Sequence, residues 1–169
     1  MIIVIATTPG REAWLRDCMA SIERRSVLVL SDFTFELGKI RHVLEHTDAE
    51  RFMLLHDTCV VKDQRLFEMC EEFPMSVAFS SCPVKFGMYL GVYTRATLEK
   101  LDIPQPVDKE EAIVYERTWN DAYSACEPDA PLLFDDFTDG HSTRTEVRHG
   151  RVNLVLENDY LTKYKGTWR

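Results

Sequence analysis

The sequence predicts an α/β fold, a mostly parallel central sheet flanked by helices. Two observations carry this. Short runs of apolar residues, five or so long, alternate along the first half with longer stretches whose apolar residues recur at helical spacing. The apolar runs also lack the in–out alternation of a half-exposed strand, which points to strands covered on both faces. Repeated strand–helix–strand order then implies right-handed parallel crossovers.

Residues 2–6 (Ile-Ile-Val-Ile-Ala) form the first expected strand, and Thr7, Thr8, Pro9, Gly10 and Arg11 a loop. A helix is expected over 12–24, where Leu15, Cys18, Met19 and Ile22 share a face. Strand 26–30 ends at Ser31 and Asp32, and helix 35–46 carries Leu37, Ile40, Val43 and Leu44. The apolar run 52–55 ends abruptly in His56, Asp57 and Thr58. A helix over 63–72, a strand over 76–79, a strand over 87–93 and a short helix over 95–101 follow. Two prolines, Pro104 and Pro106, make 102–106 a loop. A long helix is expected over 109–126, then strands over 131–134 and 152–156. The segment 160–168 is read either as a lid or as a docked terminal helix.

At 169 residues the chain reads as a single domain, 1–169, with residues 1–80 as a nucleotide-binding half and 81–169 as an acceptor or lid half. The formal net charge of −8 argues against nucleic acid as a partner. No apolar run approaches the roughly 20 residues of a membrane span, and the apolar start lacks a basic leader, so it reads as a strand and not a signal peptide. Five cysteines without a Cys-x-x-Cys pattern read as reduced core thiols, as expected of a cytoplasmic protein. The first half is Rossmann-like in order but has no G-x-G-x-x-G, which disfavours NAD or FAD.

In open α/β sheets, ligands sit beyond the carboxyl ends of the strands. Asp57 lies at such an end, where it either meets a metal or phosphate or caps a turn. Thr7, Thr8, Arg11 and Asp32 share strand-end positions. Together, the opening strand with Thr7-Thr-Pro-Gly-Arg11, the Ser31-Asp32 strand end, His56-Asp57-Thr58, Gly87 to Arg95 followed by Leu98, and Glu110-Glu111 opening a long helix resemble a small GT-A-fold glycosyltransferase of the inverting, family-2-like kind. The likeness covers roughly residues 1–125. His56-Asp57-Thr58 falls where that family has its Asp-x-Asp metal motif, with one carboxylate where two are usual.

The resemblance implies a nucleotide-diphosphate sugar as donor, an unidentified acceptor, and a divalent cation, Mn²⁺ or Mg²⁺. It implies donor contacts from Thr7, Thr8, Arg11, Asp32, Asp57, Arg151, Lys163 and Lys165, and metal ligation by Asp57 and His149, with His141 as a rival. Glu110 and Glu111 fall where the family often places its base; as ordinary acids they would complement the helix dipole. The alternative is a catalytically inactive module that keeps the fold for binding or assembly; a homo-oligomer is compatible with either. A phosphate-handling α/β protein of another kind uses the same strand-end logic.

Overall fold

The computed structural model describes residues 1–23, 25–81, 84–134 and 144–166. The elements in order are β1 (Ile2–Thr7), α1 (Glu12–Ala20), β2 (Val27–Ser31), α2 (Glu36–His46), β3 (Arg51–His56), β4 (Cys59–Val61), α3 (Arg65–Glu72), β5 (Val77–Ala78), β6 (Gly91–Thr94), α4 (Arg95–Leu98), α5 (Lys109–Cys126), β7 (Arg144–Arg148), β8 (Arg151–Glu157) and β9 (Leu161–Gly166).

They form two sheets, of order β2-β1-β3-β6-β5 and β4-β9-β8-β7. The expectation of a Rossmann-like GT-A fold with a mostly parallel sheet is not met. Among the described strands only β1–β2 and β1–β3 pair in parallel. β6 runs antiparallel to both β3 and β5, and every pairing of the second sheet is antiparallel. The reason lies in the connections. A parallel return needs a crossover, usually a helix. The chain makes that crossover through α1 and α2, but between β5 and β6 the described residues hold a 3₁₀ turn, Gly87–Tyr89, and no α-helix.

That turn also corrects the strand expected over 87–93. Phe86, Met88 and Tyr89 all take left-handed backbone angles, φ of 65°, 58° and 53°. Gly91, at φ 152°, then opens β6 so close to β5 that a Cβ there would lie 2.4 Å from the Val77 carbonyl oxygen. No other residue type combines that angle with that approach.

The central strands are buried on both faces, as their unbroken apolar runs predict. Ile3, Ile5, Met53 and Leu55 pack with Cys18 of α1, Leu66, Phe67 and Cys70 of α3, and Leu156 and Leu161 of the second sheet. Val4, Phe52 and Leu54 face the other way, onto Leu37, Ile40 and Val43 of α2 and Trp119 and Tyr123 of α5. Each such side chain contributes about 1.5–3 kcal/mol on burial. The expected helical stripe of α1 holds only in part, since Met19 is exposed and Trp14 is buried.

The C-terminal part departs furthest from expectation. The run 131–134 makes one bridge, Ala78 to Leu132, and no strand. β8 is not the last strand. The segment read as a lid or terminal helix contains β9, which is hydrogen-bonded to β4 on one side and β8 on the other. β7 and β8 are joined by His149 and Gly150, both at positive φ, 48° and 73°, as a tight two-residue hairpin requires. Cys18, Cys59 and Cys70 are buried free thiols, but Cys126 is exposed, so it is not the core thiol expected. Among the described residues no helix is long and apolar enough to cross a membrane.

Candidate functional site

The carboxyl ends of β1 and β3, the loop after β2 and the far end of β9 enclose a cleft of about 230 Å³. It is lined by Thr7, Thr8 and Arg11 from the first loop, Phe33 to Glu36 and Lys39 from the second, His56 to Thr58 from the third, and Lys163 to Gly166. The β4–β9 pairing explains the last contribution. Lys163 pairs with Cys59, which brings it beside the residues that end β3.

Asp57 is the centre of the site and is only 3% exposed. Its Oδ2 accepts a hydrogen bond of 2.7 Å from the Thr7 hydroxyl. Arg11 Nε lies 2.7 Å from the same oxygen, an ion pair whose N–H alignment falls short of a hydrogen bond. The Asp57 backbone N–H donates to Ala6 O at 3.0 Å, tying the loop to the end of β1.

Beside it, Lys163 is 5% exposed. Its Nζ donates to His56 Nδ1 and to Thr58 Oγ1, each at 2.6 Å. Burial pushes the Lys163 pKa down, against the opposing pull of Asp57 and Glu36. Burial, with Lys163, Arg11 and Lys39 nearby, also holds His56 far below the usual histidine range, so it is neutral. With Nδ1 accepting from lysine, the ring proton sits on Nε2, which faces Glu36 Oε1 at 3.6 Å.

The cleft thus gathers Arg11, Lys39, Lys163 and Lys165 against Glu36 and Asp57. A cleft of net positive charge in a chain of net charge −8 focuses its field on an anion. On its outer side, Phe33, Thr34 and Phe35 are shared with a second hollow of about 300 Å³ lined also by Gly38, Gln105, Pro106 and Val107. Phe33 is 79% exposed and Val107 86%, so this extension is apolar.

Of the residues expected at a donor site, Thr7, Thr8, Arg11, Asp57, Lys163 and Lys165 meet in the cleft. Asp32 acts one step removed. Its Oδ1 accepts from Thr34 N at 2.8 Å, Thr34 Oγ1 at 2.5 Å and Lys39 Nζ at 3.1 Å, fixing two residues that line the cleft. Partial burial pushes the Asp32 carboxyl up, but Thr34 and Lys39 outweigh this and leave it below its ordinary value.

Arg151 is exposed on β8, outside the cleft lining. His149 is elsewhere too. Its Nε2 lies 2.8 Å from Asp17 Oδ2 and its ring packs edge-on against Trp14, so it does not join Asp57 as a metal ligand. Glu110 and Glu111 open α5, as expected, but as helix-end residues. Asp108 caps the helix by accepting from Glu111 N at 2.9 Å, and Glu111 Oε2 accepts in return from Val107 N at 2.7 Å. Neither glutamate is among the cleft residues. His141 lies outside the described residues, as do residues 167–168 of the segment read as a lid or terminal helix.

Glu36, Lys39 and Phe33 were not anticipated. They follow β2 directly, so the strand-end rule applied to Asp57 contains the signal for them. The pairing of Glu36 with His56 is tertiary and has no local signature.

A divalent cation fits this donor set poorly. The described residues contain no group of three or more His, Cys, Asp or Glu side chains that could hold a metal. Asp57 and His56, the nearest donors, are each already engaged by a cation, Arg11 and Lys163. No protein-family model matches the chain, and no curated protein matches its sequence.

Proposed function

We propose that the chain binds a nucleotide-diphosphate sugar in the cleft and acts as a glycosyltransferase. The observation that carries this reading is the concentration of Arg11, Lys39, Lys163 and Lys165 at the ends of parallel strands β1, β2 and β3 in an acidic protein. A diphosphate is the small-molecule group whose charge and size match it. The two hollows, of about 230 and 300 Å³ and sharing Phe33 to Phe35, together reach the range of about 300–1,000 Å³ usual for such ligands. The diphosphate sits in the inner, charged hollow, and the apolar outer one takes the base against Phe33.

In transfer, an acceptor hydroxyl oxygen attacks the anomeric carbon and the bond from that carbon to the diphosphate oxygen breaks. The diphosphate leaves with the electron pair, its charge held by the cleft cations. Glu36 takes the acceptor proton. It is the cleft carboxylate left for that role, since Asp57 is held by Thr7 and Arg11.

A second reading, a binding module without transfer, is favoured by two specific facts. Asp57 is neutralised by Arg11, and Glu111 serves the α5 cap while Glu110 lies outside the cleft lining. Incubation with a panel of nucleotide sugars, read by release of nucleoside diphosphate and by shift of the melting temperature, separates them. Release lost in Glu36→Gln supports transfer. A melting shift without release supports the binding module, and neither signal removes both.

A further inference from the structure

We infer that the cleft holds phosphate without a divalent cation, using the Lys163 ammonium and the Arg11 guanidinium where a metal ion would otherwise bridge protein and ligand. This rests on the diphosphate reading above and concerns how that site recognises its ligand.

The geometry points this way because the two groups able to ligate a metal at the end of β3 are both occupied by protein cations. Asp57 Oδ2 faces Arg11 Nε at 2.7 Å and accepts from the Thr7 hydroxyl at 2.7 Å. His56 presents its Nδ1 lone pair to Lys163 Nζ at 2.6 Å. A metal entering here would displace a guanidinium from a buried carboxylate or an ammonium from a buried imidazole. It would then sit among Arg11, Lys39 and Lys163, with Asp57 and Glu36 as the cleft carboxylates and, among the described residues, no group of three or more His, Cys, Asp or Glu side chains to hold it. Mg²⁺ beside a phosphate needs one or two carboxylates free to ligate it, whereas here Asp57 is held by Arg11 and the cleft already supplies cations to the phosphate.

The same residues have donors to spare. An ammonium has three N–H bonds. Lys163, 5% exposed, directs two of them at neutral acceptors, His56 Nδ1 and Thr58 Oγ1. Among the described residues its third has no hydrogen-bond partner, and neither do the two terminal nitrogens of Arg11. A buried cation bonded only to neutral groups is costly until an anion reaches it. A phosphate oxygen in the cleft completes Lys163, and the planar fork of Arg11 suits a second oxygen. His56, neutral through burial, holds the lysine without repelling it.

The test is calorimetric titration of the full chain with UDP, ADP and GDP, each in EDTA and again in Mn²⁺. The expected result is that at least one of them binds in EDTA with an affinity that Mn²⁺ leaves unchanged. Lys163→Met keeps the buried stem and removes the donors. It raises Kd by about ten- to a hundredfold, the loss of a hydrogen bond from a charged group. Arg11→Gln, at a more exposed position, repeats the test in a variant that does not depend on the buried lysine. Binding that requires Mn²⁺ overturns the inference and leaves the diphosphate reading standing. Binding in EDTA that neither substitution weakens overturns it as well. No binding of any nucleoside diphosphate in either condition overturns the diphosphate reading, and this inference with it.

Discussion

Two clusters in this protein are built from almost the same residue types. At the end of β3, Asp57 meets Arg11, with His56 and Lys163 alongside. On α1, Asp17 meets Arg148 and His149 of the β7–β8 hairpin: Arg148 Nη2 lies at 2.6 Å and His149 Nε2 at 2.8 Å from Asp17 Oδ2. The first carboxylate is 3% exposed and the second 29%. The first lines a cleft; the second clamps a hairpin, with Arg148 also over the Tyr164 ring and His149 against Trp14. Composition does not distinguish them. Burial does, because a dry ion pair leaves strong, uncompensated fields when a partner is missing, whereas a wet one is screened.

The largest test of this contrast is Asp57→Ala. Removing the acid strands Arg11 beside buried Lys163, and unfolding in urea should show a loss of about 3–5 kcal/mol. Asp17→Ala should cost only about 1 kcal/mol. Equal losses at the two sites would erase the distinction between dry and wet clusters.

Trp14→Ala sharpens the same point from the apolar side. Trp14 is buried, and with Val155 and Tyr164 it forms the small core beneath the hairpin. Its removal should cost about 3 kcal/mol, more than loss of the Asp17 charge above it. The reverse order in urea midpoints would mean that ions and not packing dock the hairpin.

Acid comes next in size. Partial burial pushes the Asp17 carboxyl up, but Arg148 and His149 outweigh this and leave its folded-state pKa below the ordinary 3.8. Its stabilisation is therefore complete above that unfolded value and is lost as pH falls through the lower folded one. The gap in stability between the native protein and Asp17→Asn should close on acidification over that window; a gap that persists below it would contradict the assignment. Salt gives the smallest effect. At 1 M the screening length is about 3 Å, so the cost of Asp17→Ala should shrink by a few tenths of a kcal/mol while that of Asp57→Ala holds.

The two clusters also differ in how much of them the sequence shows. Asp57, Thr7 and Arg11 were legible because each follows an apolar strand, and strand ends in such sheets carry ligands. The resemblance implies His149 as a metal ligand, but the His149-Gly150 pair is a hairpin turn and His149 faces Asp17. Glu110 and Glu111 illustrate the same limit: an acidic pair at a helix start serves catalysis and capping equally well until the helix is placed, and here Asp108 and Val107 claim Glu111.

The sequence by itself determined the elements of the first half apart from β4 (Cys59–Val61), because a buried strand or an amphipathic helix is written in the periodicity of its own residues. Helix α5 emerged with the bounds expected of it, 109–126. The tertiary structure decided strand direction, the second sheet and the full site. Direction depends on what connects two strands, and the left-handed turn at Phe86, Met88 and Tyr89 has no periodic signature. The site depends on β9 pairing with β4, which carries Lys163 to His56 across more than a hundred residues. A contact of that sequence separation is fixed by the packing of the whole chain and not by any local pattern.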